Sequence, residues 1–207
     1  VLKKIARMMG YSLQKIRRSE GEDDVLYMAL KLVNPTLALD CGANKGAFAQ
    51  ELRAVGYDGP IWCFEPNQDC VSILNDMAKA DDKLRVFPVG TGSNNQVLEL
   101  QIAGEDGNMG SLLPQTPLMA ERFRSAYVRD KYKVQVNRLD GILDSEGVSR
   151  TERIFLKMDT QGYDYETFKG LGDRVNQIMA VKTELSIHQI YQGAPLHWEM
   201  LDLLRQH

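Results

Sequence analysis

Short apolar runs alternate with amphipathic stretches along most of the chain. Leu2, Ile5, Met9, Leu13 and Ile16 recur every three or four residues, which predicts a helix over 2–18. Lys3, Lys4, Arg7, Lys15, Arg17 and Arg18 fill its other face. A basic face of this kind could touch acidic lipid or an acidic partner. The apolar face is modest, however, and a solvated helix packed over the domain is the simpler reading. A polar break at 20–24 leads to a second helix over 25–33, stopped by Asn34-Pro35. Residues 36–40 (TLALD) then read as a buried strand, and 48–55 (FAQELRAV) as a helix closed by Gly56. Residues 61–64 (IWCF) predict a second buried strand, 68–80 a helix and 84–89 a third strand.

Strands and helices joined by short links are the pattern of a parallel sheet with right-handed crossovers. The pattern returns with a strand over 154–158, a helix near 165–169, a strand over 178–185 and a helix over 196–204. Residues 93–150 differ. They hold two alternating, half-exposed strands, 97–102 and 132–136, around a glycine-rich stretch at 103–110 and the segment 113–126. We expect an N-terminal helical segment, 1–35, packed on an α/β domain, 36–207, with a lid-like insertion at 93–150. The fold class is α/β: a Rossmann-like, mostly parallel sheet flanked by helices.

Length and charge narrow the class. The chain has 207 residues, which suits one domain. With 43% hydrophobic and 26% charged residues, it can build an ordinary globular core. Lys plus Arg number 25 against 28 Asp plus Glu, a net charge of -3 that removes the electrostatic case for a nucleic-acid binder. Cys41, Cys63 and Cys70 form no C-x-x-C pair and are odd in number, so we expect three reduced thiols in a cytoplasmic protein. No apolar run is long enough for a transmembrane segment, and the basic N-terminus lacks the apolar core of a signal peptide.

The strongest local signal is the junction 40–48, DCGANKGAF, where a strand turns into a helix. Glycines let the chain turn tightly and approach a ligand, and the helix start offers N–H groups to an anion. A dinucleotide turn reads G-x-G-x-x-G. Here an acid, Asp40, ends the strand. It would repel a pyrophosphate but attract an ammonium group. The turn therefore suits a zwitterion such as the methionine part of S-adenosylmethionine, with its carboxylate on the loop N–H groups and its amine near Asp40. Glu65, in Phe64-Glu65-Pro66-Asn67, ends the next strand 25 positions later, where an acid can accept both ribose hydroxyls. The expected cofactor residues are Asp40, Gly42, Ala43, Asn44, Gly46, Phe48, Glu65, Pro66, Asn67 and Gly90.

Three segments also carry a family resemblance: 37–67 (LALDCGANKGAFAQELRAVGYDGPIWCFEPN), 154–171 (IFLKMDTQGYDYETFKGL) and 183–195 (TELSIHQIYQGAP). On these the chain resembles the FkbM-type methyltransferases, a branch of the class I S-adenosylmethionine-dependent enzymes. The resemblance implies methyl transfer, usually to a hydroxyl oxygen of a sugar or secondary metabolite. It places Asp40, Gly42, Asn44, Gly46 and Glu65 at the methyl donor. Cys41 stands where the family more often has Val or Ile. The resemblance also implies a final antiparallel strand pair that does not follow residues 201–207, so those strands are expected beyond the given residues.

Ligands of an open α/β sheet bind beyond the carboxyl ends of its strands. Asp159 and Glu184 lie at two such ends, and His188 just beyond the second. An unactivated alcohol must lose its proton as it attacks, so Asp159, Glu184 and His188 are the candidate bases. His188 has the ordinary pKa best suited to neutral pH. Asp159 could instead hold the donor, cap a helix, or with a second acid bind Mg²⁺, although no D-x-D cluster supports a metal. Asn108, Ser111, Tyr163 and Tyr191 are candidate acceptor contacts. Leu113, Pro114, Leu118, Met119 and Phe123 could be an apolar wall, core, or contacts of a homo-oligomer. An NAD(P)-dependent oxidoreductase and a non-catalytic S-adenosylmethionine-binding protein are the alternatives. Asn44 in the turn counts against the first.

Overall fold

The computed structural model describes residues 22–104, 109–123 and 127–207. The helix expected over 2–18, and Asn108, lie outside them. Three strands of the main sheet are buried at every position: β1 (Leu37–Cys41), β2 (Ile61–Phe64) and β7 (Ile154–Met158). Strands covered on both faces must be apolar throughout, which is why they read as unbroken runs rather than alternations. With β3 (Leu84–Phe87) and β8 (Ile178–Thr183) they form a five-stranded sheet of order β3-β2-β1-β7-β8. Every pairing in it is parallel.

Alternation along β1 separates two cores. Leu37, Leu39 and Cys41 face one cluster, together with Leu156, Met158 and Phe64. That cluster is closed by α5 (Leu139–Ser145), α6 (Asp164–Lys169) and α7 (His197–Arg205), through Leu139, Leu143, Phe168, Met200 and Leu203. Ala38, Ile61, Cys63 and Phe155 face the other. There α1 (Glu22–Val33) contributes Leu26 and Leu30, α2 (Ala47–Ala54) Phe48 and Leu52, and α3 (Gln68–Ala78) Leu74. The helix α5 was not expected from the sequence. Its buried Leu139, Ile142 and Leu143 make one short apolar stripe, too brief for periodicity to stand out.

The region between β3 and β7 does not extend this sheet. It builds a second one, of order β4-β6-β5, from β4 (Gly90–Thr91), β5 (Gln96–Ala103) and β6 (Val128–Asn137). β5 and β6 pair antiparallel, and both are longer than the alternation suggested. Leu100, Ile102, Val134 and Val136 pack on Tyr163 at the start of α6. The Thr91 and Thr167 hydroxyls lie 3.0 Å apart, and Thr167 also donates to the Thr91 carbonyl at 3.0 Å. At Gly170 a Cβ would lie 2.3 Å from the Gly92 carbonyl oxygen, so only glycine allows α6 this close to the second sheet. The short helix α4 (Pro117–Arg122) follows, capped by Thr116. Of the apolar residues near it, Met119 is buried with Tyr191 and Ala194, while Phe123 is exposed.

All three cysteines are free and buried, and burial pushes each thiol up, Cys70 to about 11. Among the described residues no helix is long and apolar enough to cross a membrane.

Leu156 sits fully buried in β7, an interior strand of the five-stranded sheet. Leu156→Ala should lower unfolding stability by about 2–5 kcal/mol. Val97→Ala, at an exposed position of β5, should change it by no more than about 0.5 kcal/mol. Urea denaturation of both variants checks this.

Candidate active site

The parallel register sets Asp40 of β1 directly beside Lys157 of β7. Both side chains leave the sheet on the face of α2, since they follow Ala38 and Phe155 by two residues. Asp40 has no exposed surface. Lys157 Nζ approaches Asp40 Oδ1 to 2.9 Å, too obliquely for a hydrogen bond, so the contact is an ion pair. The same ammonium donates to the Gly42 carbonyl at 2.8 Å and lies 3.7 Å from Asp159 Oδ2. Burial works against its charge, but the Asp40 and Asp159 carboxylates outweigh burial and raise its pKa. Burial raises the pKa of Asp40, against the pull of Lys157. The amine expected at Asp40 therefore meets a carboxylate that is enclosed and already paired.

The glycine turn is held mainly by β2. Gly42 and Ala43 donate their N–H groups to the Phe64 carbonyl at 3.0 and 3.1 Å. Asn44 donates to Glu65 Oε2 at 2.7 Å, and Asn67 to Glu65 Oε1 at 2.8 Å. These loop N–H groups are thus spent within the protein. The N–H groups left facing outward by helix geometry are those of the first turn of α2, where Ala47 and Phe48 lack acceptors within the helix. Glu65 is buried, and burial raises its pKa while the two N–H groups hold it down. Each of its oxygens keeps one lone pair for a further donor.

Gly42 (φ +76°) explains the turn best. A Cβ there would lie 2.1 Å from the Asp159 carbonyl oxygen. The glycine admits the end of β7, and not only a ligand, against the end of β1.

Two clefts open at these strand ends. One is a narrow slot of about 70 Å³ whose lining includes Gly42, Asn44, Glu65, Pro66, Asn67 and Gly90. Leu100, Ile102 and Leu112 of the second-sheet region give it an apolar wall. The other, of about 600 Å³, runs over β1, β7 and β8. Ala43, Phe48, Lys157, Lys182 and Glu184 line it. Gly42, Asn44 and Asp159 line both.

Asp159 stands at their junction with its side chain 37% exposed. Gln161 Nε2 donates to Asp159 Oδ1 at 2.8 Å. The turn that follows is fixed by Asp164, which accepts the Thr160 N–H at 2.8 Å and its hydroxyl at 2.6 Å. Glu184 also lines a smaller pocket with Gln161, Asp164 and Tyr191. Partial burial and the nearby Asp159 charge raise its pKa.

Several expected residues lie elsewhere. His188 is exposed and lines none of these clefts. Gly46 caps α2 at φ 80° behind the turn. Tyr163 is buried against the second sheet. Ser111 is buried and donates to the Gln161 carbonyl at 2.7 Å, while the buried Tyr191 donates to Gln161 Oε1 at 2.9 Å. Both thus reach Gln161 rather than open space. Sequence reasoning missed Lys157 and Gln161. Lys157 was detectable as a lone charge in an otherwise apolar strand, two residues before Asp159. Gln161 left no local signal, because its partners come from 30 and 50 residues away. Among the described residues no group of three or more His, Cys, Asp or Glu side chains could hold a metal ion.

A parallel sheet with a glycine turn after one strand and an acid ending the next defines an open α/β domain of the Rossmann-like class. The chain belongs to the methyltransferase FkbM domain family, whose model matches residues 40–207. The oxidoreductase alternative is therefore not favoured. The chain is also similar to the 2-O-methyltransferase NoeI of Sinorhizobium fredii. They are 22% identical over 171 residues, which span 80% of this chain and 70% of that protein. A crystal structure from Staphylococcus aureus, provisionally named a caffeoyl-CoA O-methyltransferase, aligns at 12% identity with a TM-score of 0.28. The match covers 42% of this chain and 41% of that one.

Gly42 and Gly56 both have positive φ, but only Gly42 has a neighbour within reach of a Cβ. Gly56→Ala should cost about 1 kcal/mol from backbone strain alone. Gly42→Ala should cost at least about 2 kcal/mol more, since backbone must move away. Chemical denaturation of the pair separates the two effects.

Proposed function

We propose that the chain is an S-adenosylmethionine-dependent O-methyltransferase acting on a hydroxyl of a small molecule, a sugar or secondary metabolite. The observation that carries this is Glu65. It is a buried carboxylate at the end of β2, held by two backbone N–H groups and lining a slot with an apolar wall. A ribose diol fits its remaining lone pairs, and an adenine fits Leu100, Ile102 and Leu112. When bound, S-adenosylmethionine supplies a methyl group already activated on a sulfonium. The slot as it stands is too small for a nucleoside, so binding must widen it. The similarity to a protein named a 2-O-methyltransferase supports oxygen as the acceptor atom.

The remaining roles follow from charge and access. Asp159 faces both clefts beside the glycine turn, so it replaces Asp40 as the group that receives the donor's ammonium. Glu184 lines the larger cleft and has a raised pKa, so it is the group we assign to take the acceptor's proton. The acceptor then lies in the larger cleft, where Lys182 and the start of α2 add polar contacts.

Calorimetry with S-adenosylhomocysteine tests the donor site. Wild type should bind, and Glu65→Ala should weaken binding at least about tenfold, the loss of hydrogen bonds to a charged group. No binding by wild type at millimolar ligand overturns the function. The transfer rate to an acceptor found by methyl-label screening should fall as pH drops through the raised pKa of Glu184, which must be ionised to accept a proton. Glu184→Gln should slow transfer at least about a hundredfold and remove that acidic limb.

A further inference from the structure

Gln161 joins three segments that are distant in sequence. Its side-chain amide donates to Asp159 Oδ1, its side-chain carbonyl accepts from Tyr191, and its backbone carbonyl accepts from Ser111. The direction of this chain is fixed by chemistry. A carboxylate can only accept, so the Gln161 NH₂ must face Asp159 and its oxygen must face Tyr191, whose hydroxyl then donates. Gln161 itself is held at φ +53°. The next residue, Gly162, has φ +92° and leaves room for the Tyr191 ring, which a Cβ would meet at 3.0 Å.

Tyr191 and Ser111 are in turn fixed to each other's segments. Gln192 N–H donates to the Pro114 carbonyl at 2.7 Å and Thr116 N–H to the Ile190 carbonyl at 3.0 Å. Ser111 exchanges two backbone hydrogen bonds with Gln101 of β5, at 2.9 and 3.0 Å. Two straps bonded to each other therefore end on one glutamine, and the glutamine ends on one carboxylate. Asp159 Oδ1 is occupied, Oδ2 lies 3.7 Å from Lys157 Nζ, and the residue lines both clefts.

We propose that Gln161 is a positioning residue, keyed by Tyr191, which aims Asp159 at the ammonium of the methyl donor. This rests on the donor-binding role proposed above for Asp159. Gln161 borders the slot, but its side-chain amide and carbonyl are taken by Asp159 and Tyr191, so the Tyr191–Gln161 pair works through Asp159. It acts by holding one rotamer of Asp159, so its removal costs the contact made by the amino-acid tail and leaves the nucleoside contacts alone.

Calorimetry with two probes tests this: S-adenosylhomocysteine, and 5′-methylthioadenosine, which keeps the nucleoside thioether but lacks the amino-acid tail. Tyr191→Phe, Gln161→Met and Asp159→Asn should each weaken S-adenosylhomocysteine about tenfold and leave 5′-methylthioadenosine within about twofold of wild type. The double variant Tyr191→Phe/Gln161→Met should be no weaker than Gln161→Met, because tyrosine acts only through glutamine. The proposal is overturned if Tyr191→Phe and Gln161→Met bind S-adenosylhomocysteine like wild type while Asp159→Asn does not. Equal weakening of both probes, or additive losses in the double variant, overturns it as well and makes the pair merely structural. If Asp159→Asn keeps full affinity, the role of Asp159 fails and this inference with it. If wild type binds neither probe, the function itself is at fault.

Discussion

A lysine buried between two parallel strands holds the business end of this sheet. Lys157 is surrounded by the Asp40 carboxylate, the Gly42 carbonyl and, farther off, Asp159. It thereby ties the last residues of β1 to the last residues of β7. Removing one partner of such a pair leaves an uncompensated buried charge, typically several kcal/mol, whereas the intact pair contributes little net stability. Its value is therefore positional. It fixes the glycine turn relative to Asp159, and the 2.1 Å a Cβ at Gly42 would have to the Asp159 carbonyl shows how close that fit is. Glu65 makes the matching tie on the other side, through Asn44 and Asn67. The turn is locked between two acids on neighbouring strands, one enclosed and one facing the slot.

This division of labour between acids was only half legible in the sequence. The βαβ frame was legible because each parallel strand is buried on both faces and stands out as an apolar run. Residues 61–64 and 154–158 keep the limits read from the pattern. The glycine turn and Glu65 were legible because their residue types are tied to local geometry. The fate of Asp40 was not, since it depends on register with a strand more than a hundred residues later. A carboxylate at a strand end can face the ligand or the core, and only the neighbour at Lys157 decides which.

The second sheet was hidden for a similar reason. Its strands alternate, so the pattern shows that one face is covered but not by what. Three small contacts place it: the Thr91–Thr167 pair, the glycines at 92 and 170, and Tyr163 under Val136. None has a spacing signature. Tyr163 looked like a candidate to touch a ligand because aromatic residues at strand ends often do. Its work here is to carry the sheet whose Leu100 and Ile102 wall the slot.

A sulfonium donor carries its own leaving group, so a protein that uses one gains most by positioning two reactants and excluding water. On that account a site rich in mutually bonded side chains and poor in exposed bases is what the chemistry asks for. Asp159, Gln161, Tyr191 and Ser111 form such a chain, drawn from the turn after β7, the loop after β8 and the loop after β5. The side-chain direction of Asp159 then rests on contacts from three segments of the chain.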